Sequence, residues 1–209
     1  MYFYTIIIKQ IGIMKLELNF ELTSETKVNI FGVTLFRIKA KKSFRNVKKG
    51  DLGGWVSSEL TEDGNARVSG DAWVYGNAQV YGNARVYGNA WVSGDAQVSG
   101  DAQVYGDAQV YGNARVSGDA QVSGDAQVYG NAQVETENDI CWFSKFGSSN
   151  RTTTFFKTTE KNVIKVSCGC FFGTIKEFVK KVKETHGNNK YANEYIAIIE
   201  VAEIKFGLK

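Results

Sequence analysis

The sequence contains no proline, one histidine and only three cysteines in 209 residues. An odd and small number of cysteines is not typical of a secreted domain held together by disulfides, so we expect a reducing, cytoplasmic location. Loop-rich and collagen-like chains are usually rich in both glycine and proline, whereas this chain has 22 glycines and no proline. The glycines are therefore expected to serve a regular architecture.

Charge is unevenly distributed along the chain, although the net charge is only +3. Residues 64–135 carry seven acidic and three basic side chains, which gives −4, and both flanks are positive. With 43% apolar residues the chain can bury a core. We predict three parts: an N-terminal β cap (1–52), a repeat rod (53–136) and a C-terminal α+β domain (137–209).

The opening residues 1–13, "MYFYTIIIKQIGI", are apolar. They lack the basic start and the cleavage site of a signal peptide, and they are too short to span a bilayer. We interpret them as a β-strand and expect no membrane association. The alternative is that translation starts at Met14 and that these residues do not belong to the native protein.

Twelve consecutive hexads of the form Gly-(Asn/Asp)-Ala-x-Val-(Ser/Tyr) run from Gly64 to Glu135, and only the last ends differently, in Glu135. Alanine and valine stand two apart, so in an extended segment they point to one side and x points to the other. The Gly-Asn or Gly-Asp pair tolerates the backbone angles of a tight corner. Each hexad therefore predicts one short strand and one corner.

The residues at position x indicate how the strands wind. Trp55, Trp73 and Trp91 are spaced by eighteen residues, as are Arg67 and Arg85. We therefore predict a triangular coil of three hexads, with about four coils stacked as parallel, in-register strands roughly 4.8 Å apart. Valine and alanine would fill a dry centre with no pocket for a substrate.

This pattern resembles the hexapeptide repeat of left-handed parallel β-helices, and the resemblance implies a left-handed winding. Residues 53–56, "GGWV", resemble an earlier partial coil in the same phase. Enzymes of that family are mostly acyltransferases with a histidine base or carbonic anhydrases with several metal-binding histidines. The one histidine here, His186, lies outside the repeats. We expect no enzyme activity from the rod and no cofactor.

The outward residues of the rod are candidates for partner binding. The tryptophans would form one exposed column, and exposed aromatic residues with arginine are common anchors of protein interfaces. The alternative is that stacked identical residues only stabilise one another along the rod. The candidate partner-binding residues are Trp55, Trp73, Trp91, Tyr75, Tyr87, Arg67 and Arg85.

Two pairs of aspartates also fall eighteen residues apart, Asp101 with Asp119 and Asp107 with Asp125. Stacked carboxylates can attract a cation. Aspartate is also a common corner residue, and we favour that simpler interpretation.

The N-terminal part alternates apolar and polar residues through 15–21 and 28–39, which predicts antiparallel strands that cap the rod. Residues 37–49 contain seven basic side chains and no acidic one. Nucleic acid is one candidate ligand of this run, and a solvated basic edge strand is the interpretation we favour. The basic residues are Arg37, Lys39, Lys41, Lys42, Arg45, Lys48 and Lys49.

The C-terminal part predicts three strands, at 139–147, 152–159 and 163–170, followed by two helices. Thr174 and Glu177 have the spacing of a capping box, and Gly187 is a candidate helix end. The apolar face of the second helix is predicted from Tyr191, Tyr195, Ile199, Ala202 and Phe206.

Cys141, Cys168, Cys170 and His186 all lie in this small C-terminal part. They are weak candidates for a zinc site or, as a Cys–His pair, for a nucleophile. Buried cysteines that pack as small apolar side chains explain the first three equally well. His186 is expected at a helix C-terminus, where it would interact favourably with the helix dipole.

The flanks of the repeats, "LFRIKAKKSFRNVKKGDLGGWV" and "VSCGCFFGTIKEFVKKVKETHG", also resemble those of hexapeptide-repeat proteins carried by bacteriophages and prophages. The resemblance implies a phage origin and no particular activity. We therefore expect a non-enzymatic binding or scaffold protein that recognises a host or phage macromolecule, most simply a protein, and a host-defence component such as a CRISPR effector is an attractive target. The alternatives are a metal-binding or enzymatic C-terminal module on a structural rod, and a homo-oligomer formed through the rod faces.

Overall fold

A computed structural model describes residues 19–43, 47–57 and 65–209 of the protein. The expected strand over residues 1–13, the first part of the strand expected over 15–21, Arg45 of the basic run and Gly64 lie outside the described residues. The described chain is mainly β, and it forms a β-solenoid of about four turns between an antiparallel hairpin and an α+β domain. The predicted fold class is confirmed.

Each complete hexad of the rod contributes one two-residue strand, which begins at position x and ends at the valine. The strands are β4 (Arg67–Val68), β5 (Trp73–Val74), β6 (Gln79–Val80), β7 (Arg85–Val86), β8 (Trp91–Val92), β9 (Gln97–Val98), β10 (Gln103–Val104), β11 (Gln109–Val110), β12 (Arg115–Val116), β13 (Gln121–Val122), β14 (Gln127–Val128) and β15 (Gln133–Val134). The valines and alanines of these hexads are buried in one core cluster, and none of the buried polar residues of the described chain lies between 65 and 135.

The strands stack with a repeat of eighteen residues. Trp73 pairs with Trp91 and Arg67 with Arg85, always in parallel and in register. Many backbone amides donate one coil further on, as when the Trp73 N–H donates to the Ala90 carbonyl at 2.9 Å. The rod therefore has three faces. Their strand orders are β3-β5-β8-β11-β14, in which β3 is Leu52–Val56, then β4-β7-β10-β13 and β6-β9-β12-β15.

The corners of the rod require glycine for two reasons: the backbone φ angle is positive there, and the next coil leaves no room for a side chain. Gly100 has φ of +67°, and a Cβ built on it would lie 2.9 Å from the backbone N and O of Gly118 in the next coil. The corner glycines thus stack backbone on backbone, and a side chain there would separate the coils.

The N-terminal hairpin extends the tryptophan face of the rod. It consists of β1 (Phe20–Val28) and β2 (Thr34–Ala40), and β2 pairs antiparallel with β3 (Leu52–Val56). Phe20 and Ile38 join the core cluster of the rod, which supports the predicted role as a cap.

Two details of the hairpin differ from the sequence predictions. The strand expected over 28–39 is interrupted by a turn, in which the Asn29 side chain accepts from the N–H groups of Phe31 and Val33, both at 2.9 Å. The strand that holds the start of the basic run, β2, lies between β1 and β3. The interpretation of that run as an edge strand is therefore wrong.

The C-terminal domain begins after a short 3₁₀ turn, Glu137–Asp139. Its antiparallel sheet is formed by β16 (Ile140–Phe146), β17 (Arg151–Lys157), β18 (Ile164–Cys168) and β19 (Phe171–Thr174). The sequence predicted three strands, and the fourth was missed because Gly169 and Cys170 form a two-residue turn that pairs Cys168 with Phe171.

Strand β17 belongs to two cores because successive side chains point to opposite faces. Phe156 packs into the end of the rod with Ile140, whereas Phe155 packs against the helices. The hydroxyl Oγ1 of Thr154 accepts from the Gln127 N–H of the rod at 3.1 Å. The domain thus closes the last coil.

Two helices cover the other side of this sheet, α1 (Ile175–His186) and α2 (Lys190–Lys205). The predicted capping box of Thr174 and Glu177 is present, and Gly187 ends α1 with φ of +57°. In the part of the chain that the structure describes, neither helix is long and apolar enough to cross a membrane.

Candidate binding surface

The tryptophan column lies on one face of the rod, as the spacing predicted. Trp55, Trp73 and Trp91 are in-register partners on β3, β5 and β8. The expectation that all three are exposed is wrong for Trp55, which is only 6% exposed. Trp73 and Trp91 are half-buried. The difference arises because the N-terminal hairpin lies against the column.

The tip of the hairpin adds aromatic and aliphatic side chains to this face. Phe31 stacks on Trp91, with ring centroids 5.3 Å apart and an interplanar angle of 15°, and it lies 6.1 Å from the Tyr75 ring. Trp73 and Trp91 meet edge to face at 6.3 Å. These distances fit favourable aromatic pairs and tie the tip to the rod.

The same tip leaves three large apolar side chains in solvent. Ile30 is 79% exposed, Val28 65% and Phe31 57%, even though Phe31 is stacked. Large apolar side chains grouped at a surface are typical of an interaction site. We call Val28, Ile30, Phe31, Trp73 and Trp91 the tip patch.

Cations lie over the first two tryptophans. The Lys27 ammonium is 4.2 Å from the Trp55 ring centroid, 5.0 Å from that of Trp73 and 3.8 Å from an Asp71 carboxylate oxygen. The Arg37 guanidinium lies 5.0 Å from the Trp55 centroid. Burial lowers the pKa of Lys27, and the nearby Asp71 carboxylate opposes that shift. The basic side chains are therefore structural partners of the aromatic column.

A groove opens between the hairpin and the rod. Its volume is about 430 Å³, and its walls combine two tryptophans, one cation, two carboxylates and two amides. The lining residues are Lys27, Ile30, Asp71, Trp73, Asn89, Trp91, Asp107 and Gln109. Such a mixture of ring surface and hydrogen-bonding groups suits a ligand that is both flat and polar.

Sequence reasoning missed Lys27, Ile30, Phe31 and Asp71 as members of this surface. The available signal was the turn "NIFG" at 29–32, which places two large apolar residues where a turn normally carries polar ones. Which coil the tip contacts depends on how the hairpin folds over, and no sequence period encodes that.

The remaining candidate partner residues lie on the neighbouring face. Arg67 and Arg85 are in-register partners there. Tyr87 follows β7 and stacks on Tyr105 at 5.0 Å with an interplanar angle of 2°, and its hydroxyl donates to Gln103 Oε1 at 3.2 Å. Tyr87 thus belongs to a ladder along the rod, while Tyr75 contacts the tip patch.

The basic run is divided between the hairpin and the loop that follows it. Arg37 packs on Trp55, and Arg45 lies outside the described residues. The other five are exposed: Lys39, Lys41, Lys42, Lys48 and Lys49.

The corner aspartates are organised by hydrogen bonds along the rod. Asn83 donates to Asp101 at 3.1 Å, and Asn89 donates to Asp107 at 3.0 Å. The candidate cation pairs continue these columns to Asp119 and Asp125. Within the described residues no group of three or more His, Cys, Asp or Glu side chains could hold a metal ion.

The C-terminal cysteines and histidine are spread over this domain. Burial raises the pKa of Cys141 to about 12, Cys168 accepts from the Thr153 hydroxyl at 3.2 Å, and Cys170 is exposed in its turn. His186 lies in the last turn of α1 and stacks on Tyr195, with centroids 5.6 Å apart. In the described part of the chain these four residues belong to no group of His, Cys, Asp or Glu side chains that could hold a metal ion.

Comparison with known proteins adds one finding. Residues 64–76, 78–94 and 108–124 match the family model described as the YdcK beta solenoid repeat. A comparison with curated proteins gives no match. The matched segments all lie in the rod, so this protein is a β-solenoid repeat protein.

Proposed function

We propose that the protein is a non-enzymatic binding protein that recognises a macromolecule, most simply a protein, with its tip patch. The observation that carries this proposal is the exposure of Ile30 and Phe31 beside the half-buried Trp73 and Trp91. Aromatic and aliphatic groups clustered around a pocket are the usual energetic centre of a protein interface.

The rod supports this function by holding the patch rigidly. Its core is packed with valine and alanine, and each coil hydrogen-bonds to the next through the backbone. A pre-organised surface loses little conformational freedom on binding, which favours affinity. The rod itself presents no polar interior in the described residues where a reaction could take place.

The charges of the groove favour a protein over nucleic acid as the partner of this surface. Asp71 and Asp107 line the groove together with one cation, Lys27. Phosphates would be repelled by the two carboxylates. The exposed lysines of the basic run remain the candidate site for a nucleic acid.

The finer proposal is that the chain is a phage or prophage hexapeptide-repeat protein, acts in the cytoplasm of a bacterial host, and inhibits a defence component such as a CRISPR effector. It rests on the resemblance of the flanking segments alone.

Affinity capture from a lysate of the bacterial host tests the binding function. The bait is compared with an Ile30→Ser, Phe31→Ser variant, and with Ile204→Ser as the matched control, because Ile204 is 65% exposed on α2 in the other terminal domain. We expect a partner that the wild type and the control retain and the tip variant loses. Equal capture by all three proteins, or no capture by any, would contradict the proposal.

A further inference from the structure

The protein already contains one cation bound on its tryptophan column. The Lys27 ammonium lies over Trp55 and Trp73, 4.2 and 5.0 Å from their ring centroids, and Asp71 provides a carboxylate 3.8 Å away. A cation over an aromatic face forms a cation–π interaction, and the carboxylate adds a charge–charge attraction. The column can therefore hold a side-chain cation between successive tryptophans.

The next pair of tryptophans lies one coil further on, where the Trp91 ring stands edge to face with Trp73 and one of its faces is stacked by Phe31. Eighteen residues further along the chain, Trp73 and Trp91 occupy the positions equivalent to Trp55 and Trp73, and Asn89 occupies the position equivalent to Asp71. The groove of about 430 Å³ lies at this second position. Among the residues that the structure describes, no lysine or arginine other than Lys27 lines it.

The carboxylate missing at the second position is supplied by the following coil. Asn89 donates from Nδ2 to Asp107 Oδ1 at 3.0 Å, and Asp107 also lines the groove. Asp71 precedes Asn89 by one coil in the same corner column and is paired with Lys27. With two carboxylates against one ammonium the lining carries a net charge of −1, so it complements a further cation.

We propose that this groove binds a lysine or arginine side chain of a partner protein, placed against Trp73 and Trp91 with Asp107 as its counter-charge. The inference deepens the binding function proposed above and rests on it. The exposed Ile30 at the rim would be covered by the apolar part of the same partner segment, because long cationic side chains bring an aliphatic stem with them. An arginine would gain most, since its planar guanidinium stacks on an indole and can donate to both Asp107 and the Gln109 amide.

Titration of the protein with short peptides, followed through the indole N–H signals of Trp73 and Trp91 by NMR, tests the inference. The probes are an acetylated and amidated tri-arginine peptide, the tri-lysine peptide, and the tri-citrulline peptide, which has the shape of arginine without its charge. We expect the indole signals to shift with both cationic peptides and not with tri-citrulline. Equal shifts with tri-arginine and tri-citrulline would overturn the inference.

Two matched variants locate the effect. Asp107→Asn removes the proposed counter-charge, and Asp119→Asn removes one exposed corner carboxylate on a neighbouring column outside the groove. We expect Asp107→Asn to weaken tri-arginine binding about threefold to fivefold and Asp119→Asn to leave it unchanged. If both variants weaken tri-arginine binding equally, the peptide is attracted by the overall charge of the surface, and the proposed cation site is wrong.

Two other occupants have their own readouts. If a neutral hexasaccharide of glucose or N-acetylglucosamine shifts the same indole signals more strongly than tri-arginine, the groove binds a glycan and the inference is wrong. If the protein forms concentration-dependent dimers that the Asp107→Asn variant does not form, the groove binds a second copy of the chain.

Failure of this inference is distinguishable from failure of the binding function. If the tip variant loses a lysate partner that Asp107→Asn keeps, the binding function stands and the cation site is wrong. If tri-arginine binds as expected but lysate capture is the same for all baits, the cation site stands and the proposed function of the tip patch is wrong.

Discussion

Phe31, at the tip of the N-terminal hairpin, lies flat on Trp91 of the rod, with ring centroids 5.3 Å apart. The two residues belong to different structural units, and their contact brings the hairpin turn over the outer face of the third described strand of the tryptophan column. The contact therefore decides which part of the column is covered and which part remains open as a groove.

Loss of this stack should loosen the hairpin tip. We expect Phe31→Ala to lower the free energy of unfolding by about 0.5–1.5 kcal/mol and to speed hydrogen exchange of the Asn29–Val33 turn. Ile30→Ala is the control, because the Ile30 side chain is mostly in solvent. Equal acceleration of exchange by both variants would show that the Phe31 ring does not hold the tip.

The stacking of corner glycines predicts a position-dependent cost of alanine. Gly100→Ala places a methyl group 2.9 Å from the Gly118 backbone, whereas a Cβ on Gly32, which also has positive φ, meets nothing within 4 Å. Both variants bear the left-handed strain, so the difference reports the contact between coils. We expect chemical denaturation to give a loss for Gly100→Ala roughly 1–3 kcal/mol larger than for Gly32→Ala.

Protonation of Asp139 should destabilise the junction between rod and C-terminal domain. Burial raises the pKa of Asp139, but hydrogen bonds from Lys157 Nζ at 2.5 Å and from the Thr136 and Glu135 backbone outweigh it, so the pKa is lowered. Because the folded pKa lies below the unfolded value of about 3.9, the stabilisation is present above that pH and is lost as pH falls through the folded pKa.

The measurement is the difference in unfolding free energy between wild type and Asp139→Asn as a function of pH. We expect the wild type to be more stable at pH 7 and the difference to shrink toward pH 2–3. Asp119→Asn, which changes an exposed corner carboxylate, should show a smaller difference at pH 7. If the difference in unfolding free energy between wild type and Asp139→Asn stays constant from pH 7 to pH 2, the Asp139 carboxylate does not stabilise the junction in the way described.

The three cysteines should differ in reactivity toward an alkylating reagent. Cys170 is exposed in the β18–β19 turn, whereas burial raises the pKa of Cys141 to about 12. Since the thiolate is the reactive form, we expect Cys141 in the native protein to react at least about 100-fold more slowly than Cys170 at pH 8. Peptide-resolved mass spectrometry over time measures both rates, and rapid labelling of Cys141 without unfolding would contradict the packing described for it.

The rod could be predicted from sequence because each of its rules is local and repeated. Alanine and valine two residues apart set the inward side, glycine sets the corner, and the eighteen-residue spacing of Trp55, Trp73 and Trp91 sets the three faces. One hexad repeated twelve times leaves few alternatives for the fold.

The candidate site could be predicted only in part. The tryptophan column followed from spacing, but the burial of Trp55 and the membership of Lys27 and Phe31 depend on how a non-repeated hairpin folds over the rod. The strand β19 was missed for a related reason, because Gly169 and Cys170 make a turn too short to stand out from the preceding strand.

The shared position of β17 has a consequence for assembly. Phe156 belongs to the valine core and Phe155 to the helical layer, so a cut at the predicted boundary of residue 137 removes Phe156 and Ile140 from the end of the rod core. A chain truncated there would present an uncapped triangular end with unpaired amides and carbonyls. The C-terminal domain is thus also a terminator, which keeps this end of the rod from pairing with other chains.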